Sequence, residues 1–497
     1  MDDQEIGTMN QKKYTLAEFF CGCGGTSRGF TRSGRFNVAL GNDVKFEALK
    51  TFEFNHRHDD LPPATVRQDI RLLEVNTIHA KLKDKGIAQG DLDCMIGGPP
   101  CQGFSQLRRT EQRKKGKIVK FSGYSQLAHD PRNDLVLRYL EVAEALRPKF
   151  LVIENVPQML NHGFEGRLGK LSELVIQMLE RDLGYKVEVA VVNCADYGVP
   201  QLRERAVFIA SSIGTASFPA FTHADPSKPK LLAEGRKPWV TVSDAIGDLC
   251  EPSFGSDELG GGSLELYGSD PGSYAKMMRT SGSFPFNHIT RGYKQSVLNI
   301  IKEMRPGQTW DAESERMRAK YARAIAKMAK AKGISPDAAH LALERAGAIN
   351  PAFYKDYYWS AYTRLAWDSP ALTITANANF LGSGRFSHPT KMRGITMREA
   401  ARLQSFDDDF RFVTSLDDET DTTRVGVGMD MIGEAVPPQL SQAIATHLAA
   451  QLDARDISAK SKAVATHGAA NKPEEPATTG AGKPSKKTKS GGAHAAV

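Results

Sequence analysis

DCMIGGPPCQGFS, Asp93 to Ser105, drives a short apolar run into an abrupt stop. The run through Ile96 reads as a buried strand, and Gly97-Gly98-Pro99-Pro100 allows neither helix nor ladder to continue. Cys101 is therefore expected in a rigid turn at the C-terminal end of a strand. In open α/β sheets, ligands bind at that edge. An arbitrary cysteine is a small buried hydrophobe. A nucleophile needs a partner, a cofactor and a substrate, so the remaining chain decides between the two readings.

Working outward, short β-rich runs alternate with amphipathic helical stretches from Tyr14 to Ile213. The strand candidates are YTLAEFFC, NVALGND, TVRQDI, LDCMIGG, FLVIENV, VEVAVVN and RAVFIAS, with helical segments such as DLVLRYLEVAEALRP and LGKLSELVIQMLERDLG between them. Strand-helix alternation of this kind predicts an α/β fold, a doubly wound and mostly parallel sheet. Periodicity then fails over 215–390, which is rich in Gly, Pro, Ser and aromatics and reads as a second, smaller, irregular domain. One Ala/Lys/Arg helical insert interrupts it near 312–347. Helix signals return at TMREAARLQSF and PPQLSQAIATHLAAQL. The expected division is a lead-in over 1–13, domains over 14–213 and 214–390, a return to the first domain over 391–455, and a disordered basic tail over 456–497.

The chain has 497 residues and a net charge of +7. Between Gln106 and Asn133 eight Lys/Arg face two acids, and from Arg455 onward eight face three, so the remainder is acidic. The positive charge thus sits just past Cys101 and on the tail, which favours a polyanion partner. No apolar leader or membrane-length run is present. Six cysteines without a CxxC pair fit free thiols, a reducing cytoplasm and no metal site.

AEFFCGCGGTSRGF places a glycine-rich turn between the first strand and a helix. A dinucleotide fingerprint needs a glycine where Ser27 stands, which argues against a nicotinamide cofactor. Asp43 closes the second strand, placed to grip a ribose diol, and Asp69 closes the third, placed to meet an adenine amino group. Together these point to a nucleoside cofactor without a pyrophosphate.

With these residues in view, the chain resembles the DNA (cytosine-5) methyltransferases across nearly all of 14–455. The resemblance rests on Phe20, Gly22, Gly24 and Gly25 in F-x-G-x-G-G; on Pro99-Pro100-Cys101-Gln102; and on Glu154-Asn155-Val156. It extends to Gln201, Arg203 and Arg205 in Q-x-R-x-R, to the helix Arg398–Phe406, and to GEAVPP, Gly433 to Pro438. It implies a Rossmann-like methyltransferase that takes S-adenosyl-L-methionine and acts on double-stranded DNA, monomeric on its substrate and paired with a separately encoded restriction endonuclease. A location in the cytoplasm, on the nucleoid in a bacterium, follows. Cys101, Glu154, Arg203 and Arg205 are its implied catalytic residues. Phe20, Gly22, Gly24, Gly25, Asp43, Val44, Asp69, Ile70, Pro100 and position 434 are its implied cofactor contacts. The family's asparagine in the last motif is Glu434 here; its carboxylate either crowds the cofactor or points to solvent.

The chemistry suits these groups. A thiolate added to C6 of cytosine makes C5 nucleophilic, which explains why a soft nucleophile is held in a rigid turn. Glu154 lies among apolar neighbours in VIENVP, so burial is expected to raise its pKa and let it share a proton with N3. A stacked base is unreachable, so the cytosine must flip out. The basic stretch 107–125 reads as a loop closing over DNA phosphates. YTRLAWDSPALTIT (362–375) resembles a stretch near the end of the family's target-recognition domain, and Arg279, Arg291 and Arg385 are candidate base readers. Two rivals remain: an RNA cytosine methyltransferase with the same motifs, and a non-catalytic DNA-binding module favoured only by Glu434.

Overall fold

The structure, a computed structural model, describes residues 11–57, 62–100, 113–114, 117–118, 133–161, 170–254, 272–279, 285–413 and 424–470. Cys101, Gln102, most of the basic stretch and the end of the tail lie outside them. All seven expected strands form one sheet: β1 (Tyr14–Phe19), β2 (Phe36–Asp43), β3 (Ala64–Arg67), β4 (Cys94–Gly97), β5 (Phe150–Asn155), β6 (Lys186–Asn193) and β7 (Glu204–Ser211). Their order is β3-β2-β1-β4-β5-β7-β6. Every pair from β3 to β5 is parallel, and β7 alone runs antiparallel to its neighbours β5 and β6. Central strands are covered on both faces, hence their nearly unbroken apolar runs: Phe150 to Ile153 and Cys94 to Met95 are fully buried.

Helices α1 (Gly25–Arg32), α2 (Phe46–His56), α3 (Val75–Lys83), α4 (Asn133–Leu146) and α5 (Lys170–Gln177) connect the strands. The chain winds outward one way through β2 and β3 and the other way through β4 and β5. The topological switch therefore falls between β1 and β4, and a crevice opens beyond their C-terminal ends. The glycine turn leaves one of those ends and the Gly-Gly-Pro-Pro turn leaves the other. Beneath them Phe19, Tyr139, Ile153 and Phe208 belong to one core, and the Tyr139 hydroxyl donates to the Val152 carbonyl at 3.1 Å.

Two boundaries differ from expectation. β1 stops at Phe19 because Phe20 takes a left-handed conformation, φ 55°. β3 stops at Arg67 because the chain turns at Asp69, whose carbonyl accepts from the N–H groups of Leu72 and Leu73. Asp69 thus lies in a turn beyond the strand rather than at its end.

The described residues of 215–413 supply most of a second apolar core, including Ile246, Leu365, Phe386, Met397 and Phe410, which also takes in Cys23 and Ala48 from the first domain. The expected helical insert is a helix pair, α6 (Trp310–Lys332) and α7 (Pro336–Arg345). Gly333, left-handed at φ 61°, ends the first helix, and Ser335 caps the second. α8 (Met397–Leu403) begins with a Thr396–Glu399 capping box and buries Arg402, which binds Asp408 and Asp248. The Ala371–Leu372 pair runs parallel to Gln201–Leu202, tying this region to the catalytic motifs.

α9 (Val425–Glu434) and α10 (Pro438–Ala470) follow. The chain divides at Ala450, and the described part of the second unit continues α10. That helix extends past Arg455, where composition had suggested no regular structure. Ala and Lys are strong helix formers and prolong a helix already started without any apolar periodicity.

Candidate functional site

β5 brings Glu154 to the crevice, and β7 brings Arg205 opposite it. The Arg205 Nε meets Glu154 Oε1 at 2.5 Å, with side chains 11% and 14% exposed. A second donor of Arg205 holds the Glu204 carbonyl at 2.7 Å, which fixes the guanidinium plane. Glu154 therefore sits beside a cation rather than in a purely apolar pocket, as its neighbours in sequence had suggested. β-strand alternation explains this, since Ile153 and Asn155 are buried on the other face.

The turn leading to Cys101 is fastened to the same place. A side chain on Gly98 would begin 3.2 Å from Glu154 Oε2. Asn155 is buried and donates from Nδ2 to the Pro99 carbonyl at 3.0 Å. Pro100, next in the chain, is exposed. Asn155 had been read only as part of a motif, and its structural task is to anchor the proline turn to β5.

Arg203 does not share the role of Arg205. It is buried and donates to three carbonyls: Ile374 (2.9 Å), Gly433 (2.9 Å) and Ala435 (3.1 Å). Burial, and then the neighbouring Arg205 cation, pull its guanidinium down to about 9. It is a positioning residue that clamps the return segment after α9 onto the strand carrying Arg205. Gln201 works alongside it, accepting from the Ile374 N–H at 2.9 Å and donating to the Leu403 carbonyl at 3.0 Å.

At the other side of the crevice the glycine turn is left-handed at Phe20, Gly22 and Gly24. Gly22 donates its N–H to Asp43 Oδ2 at 2.8 Å, so the two motifs form one ledge. A side chain on Gly22 would meet nothing within 4 Å, so the ledge faces open space. At Gly25 a side chain would instead strike the Val436 carbonyl at 2.4 Å, and its absence lets the return segment dock. Val44 is exposed at the rim, Ile70 is buried beneath, and Asp69 is paired with Arg71 at 2.5 Å. That pairing, the Arg71 hydrogen bond first, holds the Asp69 carboxyl below its usual range. A carboxylate beside an apolar rim and an unfilled glycine ledge suits a nucleoside with a charged amino-acid arm.

Glu434 lies at the exposed rim, where it has a partner that the sequence did not suggest. It ends α9 half exposed, with its carboxylate on the Lys45 ammonium at 2.5 Å, one residue past Val44. Among the candidate base readers, Arg279 is committed to the buried Asp248 at 2.5 Å and is structural. Arg385 is held by Gln308, Thr363 and the Trp359 ring, whereas Arg291 is exposed.

The five described cysteines are free thiols, and no helix among the described residues is long and apolar enough to cross a membrane. Residues 14–450 match the C-5 cytosine-specific DNA methylase family, and the chain belongs to that family. It is a DNA (cytosine-5) methyltransferase. It is 28% identical to the type II methyltransferase M.DdeI of Desulfomicrobium norvegicum over 87% of this chain and 88% of that one. It is also 28% identical to M.AgeI of Thalassovita gelatinovora, over 86% and 97%. In fold it is similar to a candidate DNA modification methyltransferase encoded within an Escherichia coli prophage, with a TM-score of 0.57 at 20% identity, covering 89% of this chain and all of that one.

Proposed function

We propose that the enzyme methylates C5 of a flipped-out cytosine in duplex DNA through a covalent bond between Cys101 and C6. The observation that carries this reading is the junction at β5. Glu154 faces Arg205 at 2.5 Å, and the turn feeding directly into Cys101 is tied to the next residue, Asn155. A base in that crevice would have the thiol at its C6 edge and the carboxyl and guanidinium at its polar edge.

The Cys101 thiolate adds to C6, the electron pair moves into the ring, and C5 becomes the nucleophile. Glu154 hydrogen-bonds N3 and stabilises the charge that develops there, and Arg205 steadies Glu154 and approaches O2. After methyl transfer a water molecule takes the C5 proton, the C5–H electron pair re-forms the C5=C6 double bond, and the C6–S bond breaks, returning Cys101 as the thiolate. S-adenosyl-L-methionine supplies an electrophilic methyl group when bound. Phe20, Gly22, Asp43, Val44, Asp69 and Ile70 would hold it, with the ribose on Asp43. Asp69 would turn from Arg71 to the adenine amino group.

In this reading 14–213 is the catalytic domain, 214–390 the target-recognition domain and 391–455 the return. The basic stretch 107–125 closes over the phosphates. The type II methyltransferases among its relatives favour modification of a specific sequence; action as a monomer and pairing with a separately encoded endonuclease belong to the same reading by resemblance.

The test is covalent capture. DNA carrying 5-fluorocytosine in many sequence contexts is incubated with the protein and S-adenosyl-L-methionine, then run on a denaturing gel. Fluorine blocks the final elimination, so a shifted band that Cys101→Ala abolishes is the expected result. Intact cofactor binding with no band on DNA and a band on 5-fluorocytosine RNA would replace DNA by RNA as the substrate.

A further inference from the structure

The helix pair within the second region has no part in the mechanism, yet α6 carries a pronounced charge pattern. From Arg316 to Lys332 it holds seven Lys/Arg and no acid. Its buried side, Trp310, Glu313, Ser314, Met317 and Tyr321, recurs at helical spacing and packs with Ile300, Met304 and Phe353. After Tyr321 no residue of the helix is fully buried; Ile325 packs partly against that cluster, and the opposite side of the last three turns is exposed.

Five of the cations fall on one stripe: Arg316, Lys320, Arg323, Lys327 and Lys330, at alternating spacings of four and three. The first two are occupied within the protein. Arg316 meets Glu313 at 2.7 Å and Lys320 meets Glu303 at 3.1 Å. Arg323, Lys327 and Lys330 are exposed, and none has an ion pair or hydrogen bond among the described residues. Exposed alanines, 319, 322 and 326, run along one side of the ridge and leave it open to a broad surface.

Like charges three and four residues apart each destabilise a helix by a few tenths of a kcal/mol. A helix face made for solubility mixes the two signs. This one accumulates a single sign at a cost to its own stability. The cost falls away against a polyanion with closely spaced charges. At 1.5 Å per residue the three unpaired cations span about 10 Å of helix, and a DNA duplex presents a charge about every 1.7 Å of its axis. Three cations in one row along a helix match the regular spacing of phosphates, the sequence-independent part of a duplex.

We propose that the Arg323–Lys327–Lys330 ridge of α6 is a second DNA-contact surface, gripping the phosphate backbone of the duplex that the enzyme modifies. The proposal rests on duplex DNA being the substrate. The experiment compares the full-length protein with R323Q/K327Q/K330Q, titrating a short duplex at salt concentrations from about 50 to about 200 mM. Glutamine keeps helix propensity, and unchanged circular dichroism confirms the fold. If all three side chains neutralise phosphates, the wild-type protein loses about 40-fold more affinity than the variant across that range. The turnover rate at saturating DNA stays within about twofold, and K327R/K330R keeps the wild-type salt slope. A variant with the wild-type salt slope overturns the proposal and leaves the ridge a solvated face. A wild-type protein that binds no duplex at all overturns the DNA reading first, and this surface with it.

Discussion

The Lys45 ammonium lies 2.5 Å from the Glu434 carboxylate, joining residues 389 positions apart across the rim of the cofactor ledge. Glu434 stands where the family resemblance places an asparagine, and Lys45 neutralises the charge that this change introduces. Both side chains are about half exposed, so the pair itself contributes little. Its partners matter unequally, however. Lys45→Gln leaves an unpaired carboxylate near the site of a ligand that itself carries one, whereas Glu434→Gln leaves only a solvated ammonium. Calorimetric titration of S-adenosyl-L-methionine should show Lys45→Gln weakened about three- to fivefold, Glu434→Gln close to wild type, and the double variant restored. Equal weakening by both single changes would mean that Glu434 contacts the cofactor directly.

The ion pair of Glu154 with Arg205 leads to a different division of effects. Glu154→Gln keeps the shape of the side chain but removes the anionic acceptor and the group that handles a proton at N3. Single-turnover methylation should slow by at least about 100-fold, the usual scale for general acid–base assistance. Binding of DNA and cofactor should stay within a few-fold. A rate within about tenfold of wild type would remove Glu154 from the chemistry.

The seven strands were legible because buried parallel strands write themselves as continuous apolar runs, and the helices between them keep an amphipathic period. Glu154 and Arg205, which the structure pairs, were legible as short motifs at strand ends, whereas Cys101 lies outside the described residues. Arg203 was not: nothing in Q-x-R-x-R says that one arginine reaches Ile374 and Gly433 while the other turns to Glu154. Lys45 was missed for the same reason, because its partner follows hundreds of residues later. Glu154 was misread in its surroundings, since apolar neighbours along a strand lie on alternate faces. The ending of α10 was hidden because its composition past Arg455 carries no apolar period, only residues of high helix propensity.

Removing the Arg203 clamp should be a stability lesion. Arg203→Met would leave the carbonyls of Ile374, Gly433 and Ala435 without their buried donor. Losing charged hydrogen bonds in a dry site costs on the order of 3 kcal/mol. Urea denaturation should register that loss, accompanied by weaker cofactor binding as the return segment loosens from Gly25. A loss below about 1 kcal/mol would show that the segment is held mainly by its apolar contacts.

Glu18 gives the fold a pH dependence of predictable sign. It is fully buried on β1 and accepts hydrogen bonds from the backbone N–H and the hydroxyl of Ser27 in the first turn of α1. Burial outweighs those bonds and raises its pKa from 4.5 to about 7. The folded state therefore holds this proton more tightly than the unfolded chain does. Its stabilising contribution is complete below about pH 4.5, fades as the pH rises through 7, and is lost above that. The full shift corresponds to roughly 3 kcal/mol. Because other groups titrate over the same range, the informative quantity is the stability of wild type minus that of Glu18→Gln, from chemical denaturation between pH 5 and pH 8. That difference should fall as pH rises, by on the order of 2–3 kcal/mol. A flat difference would mean that Glu18 is ionised in the folded protein throughout, with the α1 N-terminus and Ser27 fully offsetting its burial.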